Sequence, residues 1–120
     1  MLANAQPFLV NYHAGPLTVA HNGNLVNADA LRDALVRDGA IFASNSDTEV
    51  LIHLIARSNA PTVEGQIRDA LEQADGAYSL VIGVGRALYA AVDARGFRPL
   101  FAARVGGGLV IASETCALDL

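Results

Sequence analysis

The sequence predicts an α+β domain in which an antiparallel sheet and a group of helices form separate layers. Three observations carry this. Short β-prone runs bounded by glycine and proline turn signals stand at both ends of the chain. Between them, three segments place apolar residues at helical spacing behind recognisable caps. The strand-like runs are largely apolar on both faces, which suits a sheet covered on both sides, as in a four-layer sandwich.

The elements follow in order. Phe8 to Tyr12 and Leu17 to His21 read as strands separated by the turn signal Ala14-Gly15-Pro16. Asn27 is the expected N-cap of a first helix, with Ala28, Leu31, Leu35 and Val36 on one face and Gly39 as its stop. Ser46 or Asp47 caps a second helix with the stripe Val50, Leu51, Leu54 and Ile55, and Glu49 lies in its first turn, where the helix dipole favours it. Thr62, after Pro61, caps a third helix with Val63, Ile67, Ala70 and Leu71 inward. The period then changes. Ala77 to Val84, Ala87 to Val92, Leu100 to Val105 and Leu109 to Ala112 read as four antiparallel strands. Their separators are Gly85-Arg86, residues 93–99 and Gly106-Gly107-Gly108, and Ser113 to Leu120 reads as the start of another helix.

Composition narrows the function classes. The chain has 120 residues, enough for one domain or part of one. Hydrophobic residues make up 52% and charged residues 17%, with mean hydropathy +0.34, so an apolar face that meets something else is expected. A net charge of −4, with eight scattered arginines and no lysine, argues against a nucleic-acid partner. One cysteine excludes an intrachain disulfide framework and suits a reducing, cytoplasmic setting. No signal peptide is visible, and the most apolar stretch, Ala77 to Val92, is too short and too interrupted to span a membrane.

Two short motifs carry the chemistry. Ala20-His21-Asn22-Gly23-Asn24-Leu25 sets an amide side chain beside a glycine N–H at the end of an apolar run. Ser46-Asp47-Thr48-Glu49 sets a carboxylate at the start of an apolar helix. Together they offer donors for a carbonyl oxygen and an acceptor for an ammonium, the two polar ends of a small zwitterion. Taken alone, Asn22-Gly23 is a turn dipeptide and Asp47 a helix-capping acid. His21 reads as structural, His13 and His53 as surface or packing residues without metal-ligand spacing, and Arg98 as a loop tie.

Further segments complete a family pattern: Ala5-Gln6-Pro7-Phe8, Gly76-Ala77-Tyr78, Gly96-Phe97-Arg98-Pro99-Leu100 and Ala112-Ser113-Glu114-Thr115-Cys116-Ala117. With the two motifs, these make the chain resemble, along nearly its whole length, the class II glutamine amidotransferase domain of the amidophosphoribosyltransferase family. The resemblance implies the four-layer α/β/β/α sandwich of the N-terminal nucleophile hydrolase type, incomplete at the N-terminus. It also implies a mechanism. A cysteine at the mature N-terminus attacks the glutamine side-chain amide, with its own α-amine as base. Asn22 and Gly23 then map to the oxyanion hole, with Gly23 also lining the substrate site, and Asp47 maps to the carboxylate that binds the glutamine α-ammonium. The released ammonia would pass to a phosphoribosyltransferase domain and attack phosphoribosyl pyrophosphate, giving 5-phosphoribosylamine for purine biosynthesis.

The chain begins Met1-Leu2-Ala3, so the nucleophile is not at its start, and the segments for the arginine clamp of the α-carboxylate and for the phosphoribosyltransferase domain are not in it. The expectation is an inactive internal fragment of a homo-oligomeric parent. Some family members carry a [4Fe–4S] cluster, with one ligand in a segment like Ser113 to Ala117, which makes Cys116 a candidate ligand in the parent alone; Mg2+ would also belong to the parent. One thiolate cannot hold such a cluster, so no cofactor is expected in this chain. Two other readings are a fragment of another class II amidotransferase, of the glucosamine-6-phosphate synthase or asparagine synthetase type, and a non-catalytic glutamine-binding module. The Arg98-Pro99-Leu100 and Ser113 to Ala117 segments argue against the first of these.

Overall fold

The computed structural model describes residues 7–93, 100–104 and 110–112. Its elements run β1 (Phe8–Tyr12), β2 (Gly15–Leu25), α1 (Ala28–Arg37), α2 (Asp47–Arg57), α3 (Val63–Gln73), β3 (Gly76–Val84), β4 (Ala87–Asp93), β5 (Leu100–Arg104) and β6 (Val110–Ala112). The strands form a single antiparallel sheet in chain order, β1-β2-β3-β4-β5-β6. The α+β class expected from the sequence is what the chain adopts. The segments around Arg98 and Cys116, and the expected last helix at 113–120, lie outside the described residues.

The sheet is covered on one face by the three helices. Strand alternation decides which residues meet them. Leu17, Val19, His21 and Leu25 of β2 are buried, as are Tyr78, Leu80, Ile82 and Val84 of β3. They pack with Val50, Leu51, Leu54 and Ile55 of α2 and with Ile67, Ala70 and Leu71 of α3 in one core. Tyr12 donates to Oε1 of the buried Gln66 at 2.9 Å and so ties β1 to α3. The other face is different from the expectation of strands buried on both sides. It carries Leu9, Val81 and Val92, which are 70%, 48% and 43% exposed. Among the described residues, the sheet and its helices supply two layers.

The caps and turns follow the local chemistry closely. Ser46 Oγ accepts from Thr48 N at 3.1 Å, and Thr62 Oγ1 accepts from Gly65 N at 3.0 Å. Gly85-Arg86 makes the two-residue turn between Val84 and Ala87. Three expectations change. The first hairpin turns at His13-Ala14, because Tyr12 pairs with Gly15, and Pro16 already lies in β2. Asn27 precedes α1 but makes no side-chain cap. Its amide instead donates to Gln73 O at 2.8 Å and accepts from Asp75 N at 2.9 Å, spanning the start and the end of the helical excursion.

The third change is the largest. β2 does not end at His21 but continues through Asn22, Gly23 and Asn24 to Leu25, paired with β3 down to Gly76. Glycines at both strands allow this. Gly23 has φ +122° and Gly76 φ +143°, a region that other residues rarely adopt. A Cβ on Gly23 would strike the Ala77 carbonyl, and one on Gly76 would strike the Asn24 carbonyl.

Two substitutions separate these effects. Gly15 also has positive φ (+111°), but a Cβ there meets nothing. Gly15→Ala should cost only backbone strain, about 1 kcal/mol. Gly76→Ala adds a backbone collision and should cost at least about 2–3 kcal/mol. Urea unfolding midpoints of the purified protein measure the difference, and equal losses would contradict the close approach of β2 and β3.

Candidate functional site

The site is built at the far end of β2, where the chain leaves the sheet for the helices and later returns. Val26 N donates to Asp75 O at 2.6 Å, closing the excursion onto its own starting point. The motif residues therefore sit in a ladder strand and not on a turn. Asn22 pairs with Ser79 across the ladder and Gly23 with Tyr78. Asn22, Gly23 and Asn24 are exposed, and alternation puts the two asparagines on the face opposite His21 and Leu25.

Asp47 arrives from the helical side. It is the first residue of α2, half-buried, and its Oδ2 accepts from Leu25 N at 3.4 Å. That contact is long, so it guides the carboxylate while leaving acceptor capacity free. Asp47 thus stands beside the end of the strand that carries Asn22 and Gly23. Among the described residues the Asn22 amide and the Asp47 carboxylate share no hydrogen bond.

His21 lies on the helical face of β2 and is buried, with its ring 6.4 Å from that of Tyr78. Burial pushes its pKa below the usual 6.5, and the negative charge of Asp47 pulls partly in the other direction. The imidazole is neutral at pH 7. This agrees with a structural role for His21. His13 is exposed, and His53 packs against Phe42 with ring centroids 4.4 Å apart.

The loop ahead of α2 is held by residues that the sequence reading did not single out as functional. Glu49 is buried. Its carboxylate accepts from Ala43 N at 2.7 Å, from Ser44 N at 2.8 Å and from Ser44 Oγ at 2.7 Å. Burial alone would raise its pKa; the Ser44 hydroxyl, the two loop N–H groups and nearby His53 outweigh that and lower it. From the other side, Arg32 of α1 donates to the carbonyls of Ser44 (3.2 Å), Asn45 (3.0 Å) and Ser46 (3.2 Å). Its guanidinium also lies 4.8 Å from the centre of the Phe42 ring. Ser46-Asp47-Thr48-Glu49 has the spacing of a capping box, in which Glu49 would reach back to the N-cap N–H. It reaches further, to 43 and 44. The motif flagged the acid but not its partners, and nothing local pointed to Arg32.

Among the described residues, no group of three or more His, Cys, Asp and Glu side chains could hold a metal ion. Cys116, the sequence-based candidate for a cluster ligand, lies outside them. A groove of about 690 Å³ runs between the helices, lined by Leu35, Arg37, Leu54, Arg57, Asp69 and Glu72 among others. It includes none of Asn22, Gly23 and Asp47.

Comparison with known proteins bears on this geometry. A family model described as a glutamine amidotransferase domain matches residues 1–119. The chain is 45% identical over 120 residues to an amidophosphoribosyltransferase of Staphylococcus aureus, covering 99% of this chain and 24% of that protein. It is 52% identical over 121 residues to the chloroplastic amidophosphoribosyltransferase 1 of Arabidopsis thaliana, covering 100% of this chain and 21% of that one. It therefore spans about a quarter of the length of these relatives. Among solved structures it is similar to the allosteric regulatory enzyme of purine biosynthesis, with TM-score 0.75 and 45% identity over 81% of this chain and 21% of that one. It is also similar to glutamine phosphoribosylpyrophosphate amidotransferase from B. subtilis in complex with ADP and GMP, with TM-score 0.74 and 44% identity over 87% and 23%. The fold is thus that of the N-terminal nucleophile hydrolase type.

The buried His21 and Glu49 make stability pH-dependent with one sign. Each has a folded pKa below its ordinary value, so the unfolded chain takes up the proton first as the pH falls. The His21 contribution is complete above its ordinary 6.5 and declines below it. That of Glu49 is complete above 4.5 and is lost as the pH falls through its lowered folded pKa. Urea midpoints should therefore drop between about pH 7 and pH 5, and His21→Asn should flatten that drop. A midpoint that rises on acidification would contradict the buried, neutral imidazole.

Proposed function

The chain belongs to the glutamine amidotransferase domain family, and from that premise we propose that it is the glutaminase segment of a longer amidophosphoribosyltransferase. In this reading, glutamine lies across the end of β2. The Asn22 side-chain amide and the Gly23 N–H donate to the oxygen that becomes negative when the side-chain amide is attacked. Fixed neutral donors of this kind stabilise developing charge without reorganising. The Asp47 carboxylate accepts from the substrate α-ammonium. The nucleophile is a cysteine at a mature N-terminus, and Cys116, with no terminal amine beside it, is not that residue. Ammonia released here attacks phosphoribosyl pyrophosphate at a phosphoribosyltransferase domain and displaces pyrophosphate, yielding 5-phosphoribosylamine.

The observation that supports this most is the position of Asp47. Residues 22 and 47 are far apart in sequence, yet the Asp47 carboxylate contacts the backbone of Leu25, three residues from Asn22 on one strand. At a rise of about 3.3 Å per residue, the two motifs stand about 10 Å apart, a separation that an extended amino acid and its terminal hydrogen bonds can bridge. The two ends of the zwitterion are thus offered the right kinds of partner.

Substitutions in the full-length protein separate the two roles. Asn22→Ala should lower kcat for the glutamine reaction by about 10²-fold or more, with a smaller effect on KM. Asp47→Ala should mainly raise KM for glutamine, because the ammonium contact exists in both the ground and the transition state. Neither should abolish synthesis from free ammonia. A loss of ammonia-dependent activity in proportion to the glutamine-dependent one would assign the residue to folding or domain coupling.

A further inference from the structure

The Asp47 carboxylate is placed by a short loop, and two charges hold that loop from opposite sides. We propose that Arg32 and Glu49 are positioning residues that fix Asp47 at the end of β2 and thereby set the affinity for the amino-acid substrate. The inference rests on the reading of Asp47 as the ammonium acceptor.

The loop from Phe42 to Ser46 presents backbone N–H groups to one side and carbonyls to the other. Glu49 collects the N–H groups of Ala43 and Ser44 together with the Ser44 hydroxyl. Arg32 collects the carbonyls of Ser44, Asn45 and Ser46. Ser44 Oγ in turn accepts from Ser46 N at 3.2 Å, so the loop is also tied within itself. Ser46 is the N-cap of α2, and the next residue is Asp47. The path of the loop therefore decides where α2 begins, and that decides how the Asp47 carboxylate meets Leu25.

Helix capping alone does not need this arrangement. Ser46 Oγ already satisfies Thr48 N. An arginine brought from α1 to the carbonyls of Ser44, Asn45 and the N-cap Ser46 fixes the loop as it enters the helix. The guanidinium suits the task because its planar fork reaches several acceptors at once, while a lysine ammonium acts as one point. Glu49 suits it because charged acceptors make the stronger hydrogen bonds, and burial makes their loss costly. Neither side chain has to touch the substrate.

The test uses the full-length protein, with steady-state kinetics on glutamine and on ammonia. Arg32→Ala should raise KM for glutamine about tenfold, leave kcat within about twofold, and leave ammonia-dependent synthesis unchanged. Arg32→Lys should recover only part of the affinity. In an Asp47→Ala background, Arg32→Ala should add nothing further, because a residue that acts through Asp47 has nothing left to position. Glu49→Gln should behave like Arg32→Ala; if it does not fold, Arg32, which is partly exposed, decides the matter. An equal rise in KM from Arg32→Ala with and without Asp47, or a joint loss of both activities, would overturn the positioning role. If Asp47→Ala raises KM while Arg32→Ala does not, the clamp alone is wrong. If Asp47→Ala leaves KM unchanged, the ammonium reading fails and the clamp's role fails with it.

Discussion

The close approach of β2 and β3 at Gly23 and Gly76 is the constraint from which the rest of the arrangement follows. Two strands separated by the whole helical excursion must meet at the point where the chain left the sheet. The backbones come close enough there that a side chain at either position would strike a carbonyl across the ladder. The ladder therefore runs unbroken to Leu25 and Gly76, and Val26 and Asn27 bond to the returning segment. The helical layer is pinned at both of its ends to one place on the sheet. α2 packs against β2 from that anchorage, which is why the first residue of α2 reaches the end of β2.

Fixing that residue more finely is an electrostatic problem. A half-buried carboxylate beside a buried histidine would be costly if its surroundings could not be held in place. Here two formal charges, Arg32 and Glu49, spend their hydrogen bonds on a loop backbone, and Asp47 makes a long contact to Leu25 N. The loop carbonyls of Ser44, Asn45 and Ser46 and the N–H groups of Ala43 and Ser44 are bonded, while Asp47 keeps acceptor capacity. Burial of His21 in its neutral form fits the same pattern, since an uncharged imidazole offers Asp47 no full positive charge.

Much of this was legible in the sequence because it is local. Ser46 and Thr62 cap the helices that they were expected to cap, and Gly85-Arg86 turns the chain. The helical stripes of Val50, Leu51, Leu54 and Ile55, and of Ile67, Ala70 and Leu71, face the core. What was not legible depends on partners distant in the chain. Asn22-Gly23 carries the local signature of a turn, and only Gly76, more than fifty residues on, makes it part of a strand. Asn27 looks like a cap and is one by position, but the returning loop outcompetes the helix for its amide. Arg32 carries no motif at all, and its partners follow from how α1 packs beside the loop. Glu49 was visible as a first-turn acid, and its acceptor role depends on the fold of residues 43 and 44. The candidate pair Asn22 and Asp47 was found by motif, while the elements that hold the pair together were not.

The two halves of the candidate site rest on different supports, and this has a consequence for how they can vary. Asn22 and Gly23 belong to a ladder strand, whose geometry at this end is set by pairing with β3 and by two obligatory glycines. Asp47 belongs to a helix start, whose position depends on side-chain bonds to a loop. A ladder tolerates almost no displacement, since a slip of one residue turns every side chain to the other face. A helix terminus held by side-chain hydrogen bonds can shift by fractions of an ångström as those bonds change. In the proposed reading, the donors for the reacting oxygen stand on the rigid support, which keeps the geometry that catalysis is most sensitive to. In the same reading, the ammonium acceptor stands on the adjustable one, which lets substrate affinity change without disturbing the chemistry. Within one fold, substitutions around the Phe42 to Ser46 loop can therefore retune binding, while substitutions around Gly23 and Gly76 act on the fold and the donors together.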